Sequence, residues 1–156
     1  MLQYKVGNLI DMAEQGEFDI IVHGCNCFQV MGSGIAKEIR SRYPDAYQQD
    51  LNYGIAGDMN KLGNYTASVN GKFTIINAYT QYGTNNGMNF QDLFEYESFT
   101  LILRKLSYNH PRKRYGFPYI GMGLAGGNKT RIIKMLENFA VDITSKGGTV
   151  TLVEFG

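Results

Sequence analysis

Tryptophan is absent from this chain, proline occurs three times, cysteine twice, and the charges nearly cancel. Each scarcity removes a class of protein. Cys25 and Cys27 stand too close for an ordinary disulfide and have no other cysteine to pair with, which excludes a disulfide-stapled secreted scaffold. The pair is also too tight for the usual zinc spacing and lacks a second Cys/His pair, so neither a metal nor a cofactor is expected. Neither cysteine is followed six residues on by arginine, which argues against the phosphate loop of cysteine phosphatases. No Gly-x-x-x-x-Gly-Lys-Ser/Thr run occurs, which removes P-loop ATP chemistry. A net charge of +1 gives no global pull toward nucleic acid or a membrane surface. No apolar run reaches membrane-spanning length and no signal peptide is seen, so a reducing, cytoplasmic setting is expected. Without a secretory signal, the sequons at Asn64 and Asn128 carry little meaning.

What is present suits one domain, 1–156, with a proper core: 44% of its 156 residues are hydrophobic. Alternation predicts strands at Leu2–Val6 and Thr149–Phe155, and the apolar run Phe18–Val22 predicts a strand covered on both faces. Helices are expected near Ile10–Gln15 and over Ile35–Tyr43, Asp45–Tyr53, Phe90–Tyr108 and Thr130–Thr144. Within Phe90–Tyr108, Phe94, Leu101, Leu103 and Leu106 are apolar residues at helical spacing. Lys61–Val69 and Phe73–Tyr79 flank Asn70-Gly71, the signal of a hairpin turn. Phe117–Ile120 reads as a further strand, and Thr80–Asn89 as a loop rich in Gly and Asn. Strands alternating with helices, with one hairpin added, make an α/β fold: a mixed sheet with helices on both faces.

Two glycine clusters follow predicted strands. Gly32-Ser33-Gly34 leads into the Ile35 helix, where small residues and a helix terminus suit an anion; a plain strand-to-helix turn uses the same residues. Gly121-Met122-Gly123-Leu124-Ala125-Gly126-Gly127 matches G-x-G-x-x-G, but too little chain follows for a dinucleotide-dehydrogenase fold. Together the clusters suggest a diphosphate held from both sides. His23 and Asn26 stand between them as groups able to do chemistry or to position a ligand; a strand-end histidine bonded to a carbonyl is the plainer alternative. The basic run His110–Arg114, followed by Tyr115, Phe117 and Tyr119, reads as a solvated loop, with a nucleic-acid contact near Arg112–Arg114 left open.

Val22-His23-Gly24-Cys25-Asn26, then Gly32-Ser33-Gly34-Ile35-Ala36 and Arg42-Tyr43-Pro44, resemble a macrodomain, the ADP-ribose-binding three-layer α/β/α module with a central mixed sheet. The variant is nearest the fungal ADP-ribose 1″-phosphate phosphatase. The resemblance covers nearly the whole chain. It implies that Asn8 and Leu9 meet the adenine end and that Gly32, Ser33, Gly34 and Ile35 hold one side of the diphosphate. Gly121, Met122, Gly123, Leu124 and Ala125 would hold the other side, with Phe155 against the adenine. It further implies that Asn26 contacts the distal ribose and that His23 is the catalytic group of a phosphoric monoester hydrolase acting as a monomer on ADP-ribose 1″-phosphate. The alternatives are a non-catalytic ADP-ribose-binding module and a mono-ADP-ribosyl hydrolase acting on modified protein or nucleic acid. A covalent lysine–aspartate variant is not supported: Thr80–Asn89 holds no lysine, and Ala125 and Asn128 stand where its aspartate would be.

Overall fold

A six-stranded sheet forms the middle layer of the structure, a computed structural model that describes residues 1–84, 93–123 and 125–156. The strands are β1 (Leu2–Gly7), β2 (Ile20–Cys25), β3 (Tyr65–Asn70), β4 (Phe73–Tyr79), β5 (Arg114–Phe117) and β6 (Thr149–Phe155). Their order across the sheet is β1-β6-β5-β2-β4-β3, parallel throughout except for the antiparallel β3–β4 hairpin at one edge. The helices are α1 (Leu9–Glu14), α2 (Gly34–Arg42), α3 (Pro44–Asn52), α4 (Tyr96–Asn109) and α5 (Lys129–Ser145), with a short 3-10 turn at Met59–Lys61. None of the described helices is long and apolar enough to cross a membrane.

Two cores flank the sheet because successive strand residues point to opposite faces. Ile20, Val22, Ile76, Ala78, Val150 and Leu152 face α4 and α5, whereas Ile21, Ile75 and Val153 face α1–α3. From α5 come Ile132, Leu136, Phe139, Ala140 and Ile143, a stripe at helical spacing. Each of the larger ones, Ile132, Leu136, Phe139 and Ile143, contributes on the order of 1.5–3 kcal/mol. This is the three-layer α/β/α arrangement with a mixed sheet that the sequence implied.

Several boundaries move, each for a local reason. β2 begins at Ile20 and runs on to Cys25, because His23, Gly24 and Cys25 continue the ladder with Asn77, Ala78 and Tyr79 of β4. β5 ends at Phe117 rather than beginning there: Pro118 has no N–H to continue the ladder, while Arg114 and Tyr115 pair with Thr149 and Val150. Gly116 lets Phe18 and Leu9 cross this strand; a Cβ there would lie 2.7 Å from Phe18 Cδ2. The hairpin turns on Gly71-Lys72, with Asn70 paired to Phe73 and Gly71 at φ +61°, the φ pattern of a type II′ turn. Lys61 lies in the 3-10 turn and not in β3.

Helix α4 begins at Tyr96, and its buried stripe is Phe99, Ile102, Leu103 and Leu106; Leu101 faces outward. Phe94 precedes the helix and bridges Gln81. Positions 85–89 of the expected loop, and 90–92 of the expected helix, lie outside the described residues. Arg114, from the basic run, is a strand residue whose Nε and Nη2 donate to the Asp19 carboxylate at 3.1 and 2.9 Å. The Arg114 guanidinium holds the Asp19 pKa below the usual carboxylate range.

Candidate functional site

After β2 the chain leaves the sheet toward α2 and the β4 side; after β5 it leaves toward α5 and the β6 side. These departures in opposite directions, between adjacent parallel strands, open a crevice at the strands' carboxyl ends. Both glycine clusters lie there. Two pockets, of about 390 and about 640 Å³, meet at Gly34, Ile35 and Pro118. The volumes fall within the usual range for small-molecule sites.

The smaller pocket has apolar walls from Ile35, Val153 and Phe155, the last a 79% exposed residue. Asn8 and Leu9 line it as expected, with Asn8 also capping α1: its Oδ1 accepts from Asp11 N–H at 2.9 Å. The amide Nδ2 of Asn8 donates to Glu38 Oε1 at 3.5 Å. Glu38, which sequence reasoning missed, is the one charged side chain lining the described pocket. Its signal was there to read: Ile35, Glu38 and Arg42 recur at helical spacing on α2.

The larger pocket is floored by Gly24, Cys25 and Asn26 and flanked by Gly32, Ser33, Gly34 and Ile35 on one side. Gly121, Gly123 and Ala125 flank it on the other. Ser33 stands at the N-cap of α2 without a side-chain capping bond, which leaves first-turn N–H groups beside the pocket. Gly121 has φ +73°, and a Cβ on it would lie 2.3 Å from Phe94 Cδ1, so the second glycine loop turns tightly against that ring. Met122 is turned into the core by the same loop and lines neither pocket. Leu124 lies outside the described residues. Thr80, Gln81 and Tyr119, none of them a site candidate in the sequence, complete the wall.

Asn26 lines the larger pocket with most of its polar capacity spent on its own loop. Its Oδ1 accepts from Phe28 N–H at 2.8 Å, and its Nδ2 donates to Val30 O at 2.9 Å. This is an Asx-type turn, and it leaves one amide hydrogen for a ligand.

His23 is not among the cleft residues. It is 1% exposed and lies one strand repeat below the floor, on the face turned to α3. The extra length of β2 is what buries it. Its Nε2 lies 2.6 Å from Asn77 Oδ1, while Asn77 Nδ2 donates to Ala46 O at 2.9 Å and Thr66 Oγ1 at 3.0 Å. With the amide nitrogen fully used as donor, the Asn77 oxygen must accept, which fixes His23 as the Nε2–H tautomer. Burial pushes the His23 pKa down to about 4, against the bond to Asn77, which favours the charged form. Burial, and then the nearby Asp50 carboxylate, push the Cys25 thiol well above its ordinary value. Among the described residues, no imidazole or carboxylate lines the larger pocket, and no cluster of three or more His, Cys, Asp or Glu side chains could hold a metal ion.

No family model matches the chain. An uncharacterized 17.5 kDa protein from the tk-vs intergenic region of Enterobacteria phage T4 is 29% identical over 148 residues, covering 90% of each chain. The macrodomain of Mycobacterium tuberculosis DarG matches in structure with a TM-score of 0.74 at 17% identity, over 98% of this chain and 97% of that one. A Trypanosoma brucei macrodomain in complex with ADP-ribose matches with a TM-score of 0.68 at 13% identity, over 99% of this chain and 63% of that one. The chain therefore has the macrodomain fold.

Proposed function

We propose that the crevice binds ADP-ribose. The observation that carries this reading is the continuity of two unlike pockets through Gly34, Ile35 and Pro118. An apolar pocket with an exposed phenyl ring and polar acceptors suits adenine. A glycine-lined channel beside a helix N-terminus suits a diphosphate, and Asn26 beyond it suits a ribose hydroxyl. The complex with ADP-ribose formed by the Trypanosoma brucei macrodomain supports the same ligand here. Calorimetric titration with ADP-ribose is the test: saturable one-to-one binding, weakened when the adenosine or the distal ribose is removed from the ligand, is the expected result. Absence of heat and of any thermal shift would end this reading.

For activity, the finer reading is hydrolysis of ADP-ribose 1″-phosphate, after the fungal phosphatase that the sequence resembles, within a single macrodomain in a reducing, cytoplasmic setting. The free, buried thiols Cys25 and Cys27 suit that setting. Water would attack phosphorus, the bond from phosphorus to the 1″ oxygen would break, and the sugar oxygen would take a proton from solvent. Backbone N–H groups of the glycine loops would neutralise the developing charge, with Asn26 holding the ribose. In this scheme His23 supports the strand end beneath Asn26 as a neutral donor to Asn77. Phosphate release from ADP-ribose 1″-phosphate, reduced in Asn26→Ala, is the expected outcome. Tight ADP-ribose binding with no release would leave the protein a binding module.

A further inference from the structure

Resting on the ADP-ribose reading, we infer that Lys61 is a positioning residue for the distal ribose: from outside the crevice it holds the peptide unit that aims the Asn26 side chain. Lys61 ends the 3-10 turn, is 2% exposed and lines neither pocket. Burying an ammonium group is costly, and an apolar side chain of this length would fill the same space with less penalty. Among the described residues Lys61 forms no ion pair, and its Nζ rests 5.7 Å from the centre of the Tyr53 ring. The hydrogen-bond acceptor it meets there is the backbone oxygen of Cys27, at 3.4 Å. The buried Asp50 carboxylate takes its bond from Tyr79 OH instead, at 2.7 Å.

That oxygen belongs to the peptide unit joining Cys27 to Phe28. The other end of the unit is the Phe28 N–H, which donates to Asn26 Oδ1 at 2.8 Å. A peptide unit is planar and trans, so fixing its carbonyl fixes the direction of its N–H. The same carbonyl accepts from Gly57 N–H at 2.8 Å, and Tyr82 OH donates to Gly57 O at 3.0 Å. Gly57, at φ +88°, passes so close to the Phe28 ring that a Cβ on it would lie 3.2 Å from Cε1. The Gly57 bond sets where the carbonyl lies. The ammonium adds charge at its oxygen, which polarises the unit and strengthens the Phe28 N–H as a donor. The chain of bonds thus runs from Lys61 Nζ through the Cys27–Phe28 unit to the Asn26 amide, whose one uncommitted hydrogen is left for the ribose.

Adenosine diphosphate, which lacks the distal ribose, is the comparison ligand. The wild type, Lys61→Met, Asn26→Ala and the double variant are titrated calorimetrically with it and with ADP-ribose, with thermal melts to confirm that each is folded. Lys61→Gln, one bond too short to reach Cys27 O, takes the place of Lys61→Met if the latter does not fold, and is read in the same way. Lys61→Met is expected to lower the affinity for ADP-ribose about fivefold and to leave that for adenosine diphosphate unchanged. Loss of a positive charge cannot mimic this result, because adenosine diphosphate is the more highly charged anion and would lose more. In the Asn26→Ala background the same substitution is expected to have no further effect. Equal losses for both ligands, or none for either, would overturn the role of Lys61 and leave ADP-ribose binding standing. A further loss of the same size on top of Asn26→Ala would also overturn it, because the effect would then not pass through Asn26. Failure of the wild type to bind ADP-ribose would overturn the parent reading and this inference with it.

Discussion

Acidification should destabilise this protein through His23. The ring is buried, neutral and fixed as an N–H donor to Asn77, and its pKa is lowered from 6.5 to about 4. In the unfolded chain the imidazole titrates normally, so between those two values the unfolded state binds more protons than the folded one. Stability from this group is fully present above the unfolded value and is lost as pH falls toward the folded one. Each pH unit across that gap is worth about 1.4 kcal/mol, which sums to a loss of about 3 kcal/mol. That is a large fraction of the stability of an ordinary domain.

Carboxylates titrate nearby in pH and must be separated from this effect. Burial raises the Asp50 pKa against its bond from Tyr79, so Asp50 favours the folded state as pH falls, opposite in sign to His23. Asp19, held low by Arg114, gives up its contribution only below the ordinary carboxylate range. Comparison with His23→Gln cancels both, since glutamine can still donate to Asn77 but does not titrate. The assay is urea unfolding followed by far-UV circular dichroism, because the chain has no tryptophan to report by fluorescence. From about pH 7 to about pH 4, wild-type stability should fall by about 3 kcal/mol more than that of His23→Gln. Parallel profiles, or an imidazole that titrates near its ordinary value in the folded protein, would refute the reasoning.

Three further outcomes are expected. Gly121→Ala combines a left-handed φ with a Cβ inside the Phe94 ring, so denaturation should show a loss of about 2–5 kcal/mol, and the glycine loop should lose ligand with it. Phe155→Ala removes an exposed ring at the pocket mouth, so unfolding should change by less than about 0.5 kcal/mol while calorimetry shows ADP-ribose binding weakened about tenfold. Arg114→Met breaks a partly exposed, bidentate pair with Asp19 and should cost about 1 kcal/mol at low salt, less as salt is added, by thermal melts.

The sequence was most legible where a residue's local conformation carries the information. Glycines that must turn the chain, the Pro44 start of α3 and the apolar run of β2 are visible without tertiary context, and they located both walls of the crevice. What depends on register was less visible. Local pattern ended β2 at Val22, and only pairing with β4 extends it to Cys25 and buries His23 beneath the floor. In the segment from 90 to 108, Leu101 satisfies hydrophobicity as well as Ile102 does, and only the seat of Phe99 against Phe94 and Phe117 decides which face turns inward. Glu38 was passed over because a charged residue on an amphipathic helix normally marks the solvated face; here that face borders a pocket.

The charge arrangement along the crevice gives the proposed complex its direction. No lysine or arginine lines either pocket among the described residues, so the diphosphate charge falls to backbone donors and the α2 terminus. These are neutral dipoles, and salt screens them less than it screens mobile side-chain cations. Neither the floor nor the strand beneath it changes charge near neutrality, since burial pushes the His23 pKa down to about 4 and the Cys25 thiol well above its ordinary value. The formal charge that does line the described crevice is Glu38, at the opposite end from the glycine loop of Gly121. A ligand entering in reverse would bring its distal ribose into the apolar pocket beside that carboxylate and leave its adenine without those apolar walls. The proposed complex is therefore oriented without any cation in the described lining.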